Sequence, residues 1–183
     1  MVEAKSKRHT KGGRINVKTV RDSIITFVMV LVLISFSGDY SAAQVVQGEK
    51  TAERLLRAAE GLQYPGSESD STWAFVSYEG FTELPDAATF ERVSGCPLTE
   101  GGETVRLDFD GTLDRLGTVQ PWMDQGQIES ARGFRKLQSL FHRTFADDLA
   151  VYRCETGGAE VYIYFIGVDE DGLAGLLTIS IET

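Results

Sequence analysis

Ala150-Val151-Tyr152-Arg153-Cys154, then Glu160-Val161-Tyr162-Ile163-Tyr164-Phe165-Ile166-Gly167-Val168, then Leu173-Ala174-Gly175-Leu176-Leu177-Thr178-Ile179-Ser180-Ile181 are three apolar runs near the end of the chain. The first connector contains Glu155-Thr156-Gly157-Gly158 and the second is Asp169-Glu170-Asp171-Gly172. Asp-Gly between apolar runs signals a hairpin, so the three runs read as an antiparallel meander. In the last run Leu177, Ile179 and Ile181 alternate with Leu176, Thr178 and Ser180, which predicts one more polar face.

Upstream of the meander the spacing changes to that of helices. Ile128, Ala131, Phe134, Leu137, Phe141 and Phe145 recur at helical spacing and predict a helix over about residues 128–145. Arg132, Arg135, Lys136 and Arg143 lie on its other side and read as a solvated face. Ala52, Leu55, Leu56, Ala59 and Leu62 predict a helix over residues 51–62, capped by Thr51 and ended by Gly61. Residues 63–71 are a loop rich in turn formers, and residues 73–78 a strand that ends at Glu79-Gly80. Asp86 can cap a short helix through Val93, closed by Gly95. Residues 104–108 form a short strand, residues 109–127 have no clear pattern, and residues 44–50 read as a polar linker. The order is helix, strand, helices and then a meander. That is an α+β chain with helices covering a largely antiparallel sheet.

Charge divides the chain. Seven of its 18 basic residues fall within residues 1–21, and only three of its 27 acids precede residue 44. Residues 44–183 therefore hold 11 basic and 24 acidic side chains, a net charge of −13. Such a body repels phosphate backbones and disfavours direct nucleic-acid binding, while a basic protein partner is favoured. The apolar run from Ile24 to Phe36 is shorter than the roughly 18–20 residues that span a bilayer. With Ser41-Ala42-Ala43 behind it, it reads as the core of a signal peptide covering residues 1–43. Cleavage is expected after Ala43, which gives a secreted or periplasmic protein with no membrane contact afterwards. The long basic stretch before the core leaves an uncleaved membrane anchor as the alternative.

Two cysteines, Cys96 and Cys154, follow the leader. An even count in an exported chain points to a disulfide, with two buried thiols as the alternative. No Cys-x-x-Cys pair is present, and His142 is the one histidine beyond the leader, so neither structural zinc nor any cofactor is expected. His142 sits beside Phe141 and Arg143 and reads as structural or surface.

One stretch argues for an enzyme. Val105-Arg106-Leu107-Asp108-Phe109-Asp110-Gly111-Thr112-Leu113 resembles the first motif of the haloacid dehalogenase phosphatases. That resemblance implies a nucleophilic Asp108, an acid/base Asp110 and magnesium, with Lys136 and Asp147-Asp148 cast as the later motifs. Against it, only 71 residues follow Thr112, the preceding strand carries Arg106, and the chain ends in a hairpin instead of parallel units. Asp-x-Asp-Gly also suits an ordinary turn.

A second resemblance covers far more of the chain. Ala58-Ala59-Glu60-Gly61-Leu62, then Ser67-Glu68-Ser69-Asp70, then Tyr78-Glu79-Gly80 open it. Val151-Tyr152-Arg153, Val161-Tyr162-Ile163-Tyr164-Phe165-Ile166-Gly167, Gly172-Leu173-Ala174-Gly175-Leu176 and the final Glu182-Thr183 complete it. Together these resemble the nuclease A inhibitor family over roughly residues 51–183. The resemblance implies an α/β/α sandwich and a non-enzymatic function, the inhibition of a secreted, metal-dependent, non-specific endonuclease of the ββα-metal type. It places Glu68 against a catalytic-site arginine of the nuclease and Thr183 at the nuclease's metal site. Physically, a groove that holds a phosphate backbone is electropositive. Glu68, Asp70 and Glu79 are candidate competing anions, and the carboxylate and hydroxyl at Glu182-Thr183 are oxygen donors suited to a hard cation or its water. The free protein is expected to be a monomer. Pro65-Gly66 lengthens the loop before Ser67 by about one residue, and the leader and cysteine pair stand outside the family pattern. A relative that kept the scaffold and changed partner is the alternative to the inhibitor, and the phosphatase is the third reading.

Overall fold

Among the residues that the computed structural model describes, 42–67, 72–145 and 147–182, the chain forms nine elements. These are α1 (Ala42–Ala59), β1 (Trp73–Glu79), α2 (Ala87–Ser94), β2 (Glu103–Asp108), α3 (Phe109–Leu116), α4 (Gln125–Phe145), β3 (Leu149–Glu155), β4 (Glu160–Val168) and β5 (Gly172–Ile181). Residues 1–41, with the apolar run and Ser41, lie outside the described residues, and the cleavage point expected after Ala43 falls in the first turn of α1. Among the described residues no helix is long and apolar enough to cross a membrane.

The meander forms as expected, and its last turn shows why. Asp169 Oδ1 accepts from the N–H groups of Asp171 and Gly172 at 2.9 and 3.1 Å, and Asp169 donates its own N–H to the Gly172 carbonyl at 2.9 Å. Gly172 holds φ at 139°, a conformation that a side chain would strain. β1 then adds to the outer edge of β5 and β2 to that of β3, giving the order β1-β5-β4-β3-β2 with every neighbouring pair antiparallel.

Helices cover both faces. On one, α1, α3 and α4 bring Leu55, Leu113, Phe134, Leu137 and Phe141 down onto Val151, Ile163, Phe165 and Leu176. On the other, Phe90 of α2 packs over Tyr152, Tyr164 and Ile166. Its ring stacks on Tyr152 with centroids 3.8 Å apart, and the Tyr152 hydroxyl donates to the Pro85 carbonyl at 2.7 Å. This is the α/β/α sandwich, an α+β fold. β4 is central and covered on both sides, which is why its sequence is nearly unbroken apolar.

The helix ends explain where the sequence reading held and where it did not. Asp86 accepts from Thr89 N–H at 2.7 Å and Gly95 closes α2 in the left-handed conformation, as expected. α1 starts earlier than residue 51, so residues 44–50 are helix and not linker. Gln44, Gln47, Glu49 and Lys50 are polar but favour helix, and the chain there extends an existing ladder. α4 starts at Gln125 because Asp124 and Gln127 cap one another: Gln127 N–H donates to Asp124 at 2.9 Å and Asp124 N–H to Gln127 at 3.0 Å. Within the unpatterned stretch lies α3, which begins directly at the end of β2.

β5 turns its more polar face toward the core. Thr178 and Ser180, the more polar set, have no exposure, whereas Leu177, Ile179 and Ile181 are only half-buried. Thr178 lies opposite Trp73 of β1, whose indole packs between Phe134 and Phe165, so a small side chain is needed beside it. The Thr178 hydroxyl has no hydrogen-bond partner among the described residues.

Cys96 and Cys154 form a disulfide, with Cα atoms 6.5 Å apart. It ties the segment after α2 to β3, where Thr99 reinforces it by donating its N–H and its hydroxyl to the Thr156 carbonyl at 2.8 and 2.6 Å. Two outcomes follow for stability. Replacing both cysteines by alanine is expected to lower it by about 4 kcal/mol in the chain-entropy model, read as a lower urea midpoint. Thr178→Val should raise the midpoint by the equivalent of about 1 kcal/mol, and a fall would show that a buried water satisfies the hydroxyl.

Candidate functional site

The register of the last three strands gathers their ends into one corner of the sheet. Glu160 lies opposite Ile181, and Glu155 opposite Val161. Glu182 continues past β5 and is held by its N–H, which donates to the Ala159 carbonyl at 2.8 Å.

Arg153 organises this corner. It donates from Nη1 and Nη2 to the two carboxylate oxygens of Glu182 at 3.1 and 2.6 Å, and from Nε to Glu155 at 2.8 Å. A planar guanidinium gripping a carboxylate by two parallel bonds fixes orientation as well as distance. The Arg153 hydrogen bonds hold the Glu182 carboxyl below its usual range, and hydrogen bonding to Glu182 keeps the guanidinium firmly charged. Burial pushes the neighbouring Tyr64 phenol up, against the opposing pull of the Arg153 charge. Glu182 is thus held in place by an ion pair.

The loop after α1 reaches the same corner. Ile181 donates its N–H to the Ser67 hydroxyl at 3.2 Å, a contact across 114 positions of sequence. The loop itself is pinned. Gln63 N–H donates to Ser130 of α4 at 3.2 Å, and the Trp73 indole N–H to the Leu62 carbonyl at 2.9 Å. The Leu62 side chain rests on Gly133, where an added Cβ would come within 2.2 Å of its terminal methyl and push it aside.

Glu68, Asp70 and Thr183, three of the five expected contact residues, lie outside the described residues. Ser67 and Glu182, the described residues that precede Glu68 and Thr183 in the chain, both belong to this corner. The fifth, Glu79, does not. It lies opposite Gly172 at the start of β5, nine strand residues and about 30 Å from Ile181. Antiparallel pairing carries the end of β1 away from the end of β5.

A cleft of about 440 Å³ adjoins the corner. Its lining includes Gln63, Tyr64 and Ser67 from the loop after α1, together with Leu116, Trp122 and Met123. Trp122 is 72% exposed, far more than the other exposed large apolar side chains, Val93 at 39% and Val119 at 42%. Sequence reasoning missed it because residues 109–127 have no period. The signal was an aromatic residue after a proline in a loop, Pro121-Trp122-Met123.

The aspartates of the phosphatase reading have structural work instead. Asp108 caps α3, accepting from Gly111 N–H at 2.6 Å. Asp110 accepts from Gln138 at 2.9 Å and lies 2.7 Å from His142, which joins α3 to α4. β2, which carries Asp108, is an antiparallel edge strand, not the strand of a parallel α/β unit. Arg132, Lys136 and Arg143 are exposed, as expected of a solvated face, while Arg135 donates to the Gly117 carbonyl at 2.7 Å and closes α3. Among the described residues no group of three or more His, Cys, Asp or Glu is arranged to hold a metal ion.

A family model described as nuclease A inhibitor-like protein matches residues 49–183, well over half of the chain. A search of curated proteins finds no match.

The clamp makes a testable statement about pH. A carboxylate whose pKa is depressed on folding stabilises the fold above its ordinary value, 4.5 for Glu182, and that stabilisation fades as pH falls through the folded value. Titrating the Glu182 carboxyl by NMR should give a midpoint below 4.5, and Arg153→Met should return it to the ordinary range. A midpoint unmoved by that substitution would show that Arg153 does not hold the C-terminus.

Proposed function

The chain belongs to the nuclease A inhibitor-like family, and from that premise we propose that it is an exported acidic inhibitor which blocks the catalytic groove of a metal-dependent, non-specific endonuclease. Two elements enter the groove. The loop carrying Glu68 and Asp70 offers carboxylates to the cationic residues that hold the nucleic-acid backbone. The C-terminal Thr183 offers its hydroxyl and carboxylate to the nuclease's metal ion or its water. Glu79 is not part of this surface.

The observation that carries the reading is the hydrogen bond from Ile181 to Ser67. It ties the acidic loop and the C-terminus to each other, one residue before Glu68 and two residues before Thr183, the two proposed contact residues. Arg153, by clamping Glu182, supplies the rigidity that a competitor of a pre-formed groove needs, since a tail ordered only on binding would lose affinity to that ordering. The net charge of −13 over residues 44–183 supports a basic partner and fast, salt-dependent encounter. The disulfide is compatible with an extracellular or periplasmic site of action.

The test is a titration of the purified protein into a non-specific ββα-metal endonuclease degrading plasmid DNA in magnesium, at salt high enough to screen loose attraction. Cleavage should stop at equimolar inhibitor. Deleting Thr183 or substituting Glu68→Lys should raise the required concentration by at least roughly 10-fold, the loss of one well-placed charged contact. Undiminished cleavage at excess protein with every such nuclease from the same source would leave a scaffold with a different partner as the reading.

A further inference from the structure

Tyr64-Pro65-Gly66-Ser67 is a turn whose two ends are tied to two different strands. Ser67 donates its N–H to the Tyr64 carbonyl at 3.3 Å, and Gly66 takes φ at 89°. Proline at the second position presets its φ and glycine at the third accepts the positive one, which makes a type II turn with little freedom of its own. At one end the Tyr64 ring is buried in the same core layer as Leu55 and Ala59, and its hydroxyl accepts from the Arg153 guanidinium. At the other end the Ser67 hydroxyl accepts from Ile181 N–H at 3.2 Å. Arg153 therefore serves acceptors on three elements: Glu155 in β3, Glu182 beyond β5 and Tyr64 in the loop after α1.

We propose that Tyr64 is a positioning residue of the inhibitor: through Arg153 and the Pro65-Gly66 turn it holds Ser67 and Glu182, from which Glu68 and Thr183 follow, as one body, so that the two contacts with the nuclease act as a unit. The inference rests on the inhibitor reading and adds to it a coupling that neither contact carries alone. A single bond between Ser67 and Ile181 is a pivot. A second tie three residues earlier, across a stiff turn, removes the pivot. Arg153 can supply that tie without loosening its grip on the two carboxylates, because a guanidinium has five N–H donors in a fixed plane. Its charge strengthens the bond to the phenol, and burial of the ring keeps competing water away. Groups fixed before binding need little ordering on association, and groups in one network lose their energies together instead of separately.

Two measurements on the full protein test this. Tyr64→Phe removes the hydroxyl and leaves the ring to fill the core. In the free protein, amide hydrogen exchange should show Ile181 N–H exchanging roughly 10-fold faster in this variant, with the amides of Ile163 and Phe165 in β4 unchanged. A hydroxyl that served stability alone would speed the β4 amides as well, and that result overturns the proposal. In calorimetry against the same nuclease, Tyr64→Phe should weaken binding by roughly 10-fold. Deleting Thr183 from that variant should then cost at least about 3-fold less than deleting it from the parent. Gly66→Ala, strained at φ 89° with no atom in its way, should change both readings in the same direction as Tyr64→Phe. If the costs of Tyr64→Phe and of the Thr183 deletion simply multiply, the contacts are independent and only this inference falls. It falls also if Tyr64→Phe binds as tightly as the parent. A parent protein that binds no such nuclease overturns the inhibitor reading and with it this role for Tyr64, whatever the exchange of Ile181.

Discussion

Burial of β4 on both faces is the constraint from which the architecture follows. A strand with Ile163 and Phe165 pointing one way and Tyr164 and Ile166 the other cannot face water on either side. Each face needs its own cover, so α1, α3 and α4 take one and α2, with its connecting segments, takes the other. The two covers differ in kind. Three helices bury a broad aliphatic and aromatic layer, while the single short helix relies on Phe90 stacked against Tyr152 and on a covalent tie nearby. A small helix with one fully buried residue gains much from such a cross-link.

The same strand geometry creates the functional corner. β3 and β5 both flank β4 antiparallel, so the end of one lies near the end of the other, and Arg153 on β3 can reach Glu182 beyond β5. A charged pair here is better suited to direction than to stability. The partly exposed side chains are screened by water, and what the two-pronged grip supplies is a defined orientation for the Glu182 carboxylate. Glycine at position 133 leaves room on α4 for the Leu62 side chain at the start of the loop.

Much of this was legible in the sequence, for reasons that differ element by element. The meander was visible because Asp169-Glu170-Asp171-Gly172 states its turn chemistry locally, and α2 because Asp86 and Gly95 mark both its ends. α3 was hidden because Asp108 is at once the last strand residue and the helix cap, so no loop announces the change. The start of α1 was mistaken for linker because polar composition resembles a connector when the neighbouring ladder is out of view. At the site, family resemblance pointed to Glu68 and Thr183 by position, but the bond between Ser67 and Ile181 is a product of topology that no local pattern encodes. Glu79 was grouped with them because it is acidic and close along the chain, whereas strand direction sets its place. Trp122 was missed because exposure cannot be read where no period separates an inner from an outer face.

The pairing of β1 with β5 also fixes how the folded body responds to mechanical pulling. Trp73, where β1 begins, lies opposite Thr178, near where β5 ends. Tension applied between the N-terminal side of β1 and the C-terminus therefore loads both strands at the same edge of the sheet. Their ladder opens as a zipper does, one rung at a time, instead of shearing all its bonds together. The grip of Arg153 on Glu182 stands at the head of that zipper and meets the load first. Behind it, the cross-link between Cys96 and Cys154 takes the intervening segment, which includes β2, α3 and α4, out of the line of force. A machine that unravels the protein from its tail would meet a single ion pair first and the covalently closed loop only after β5 and β4 had been drawn out.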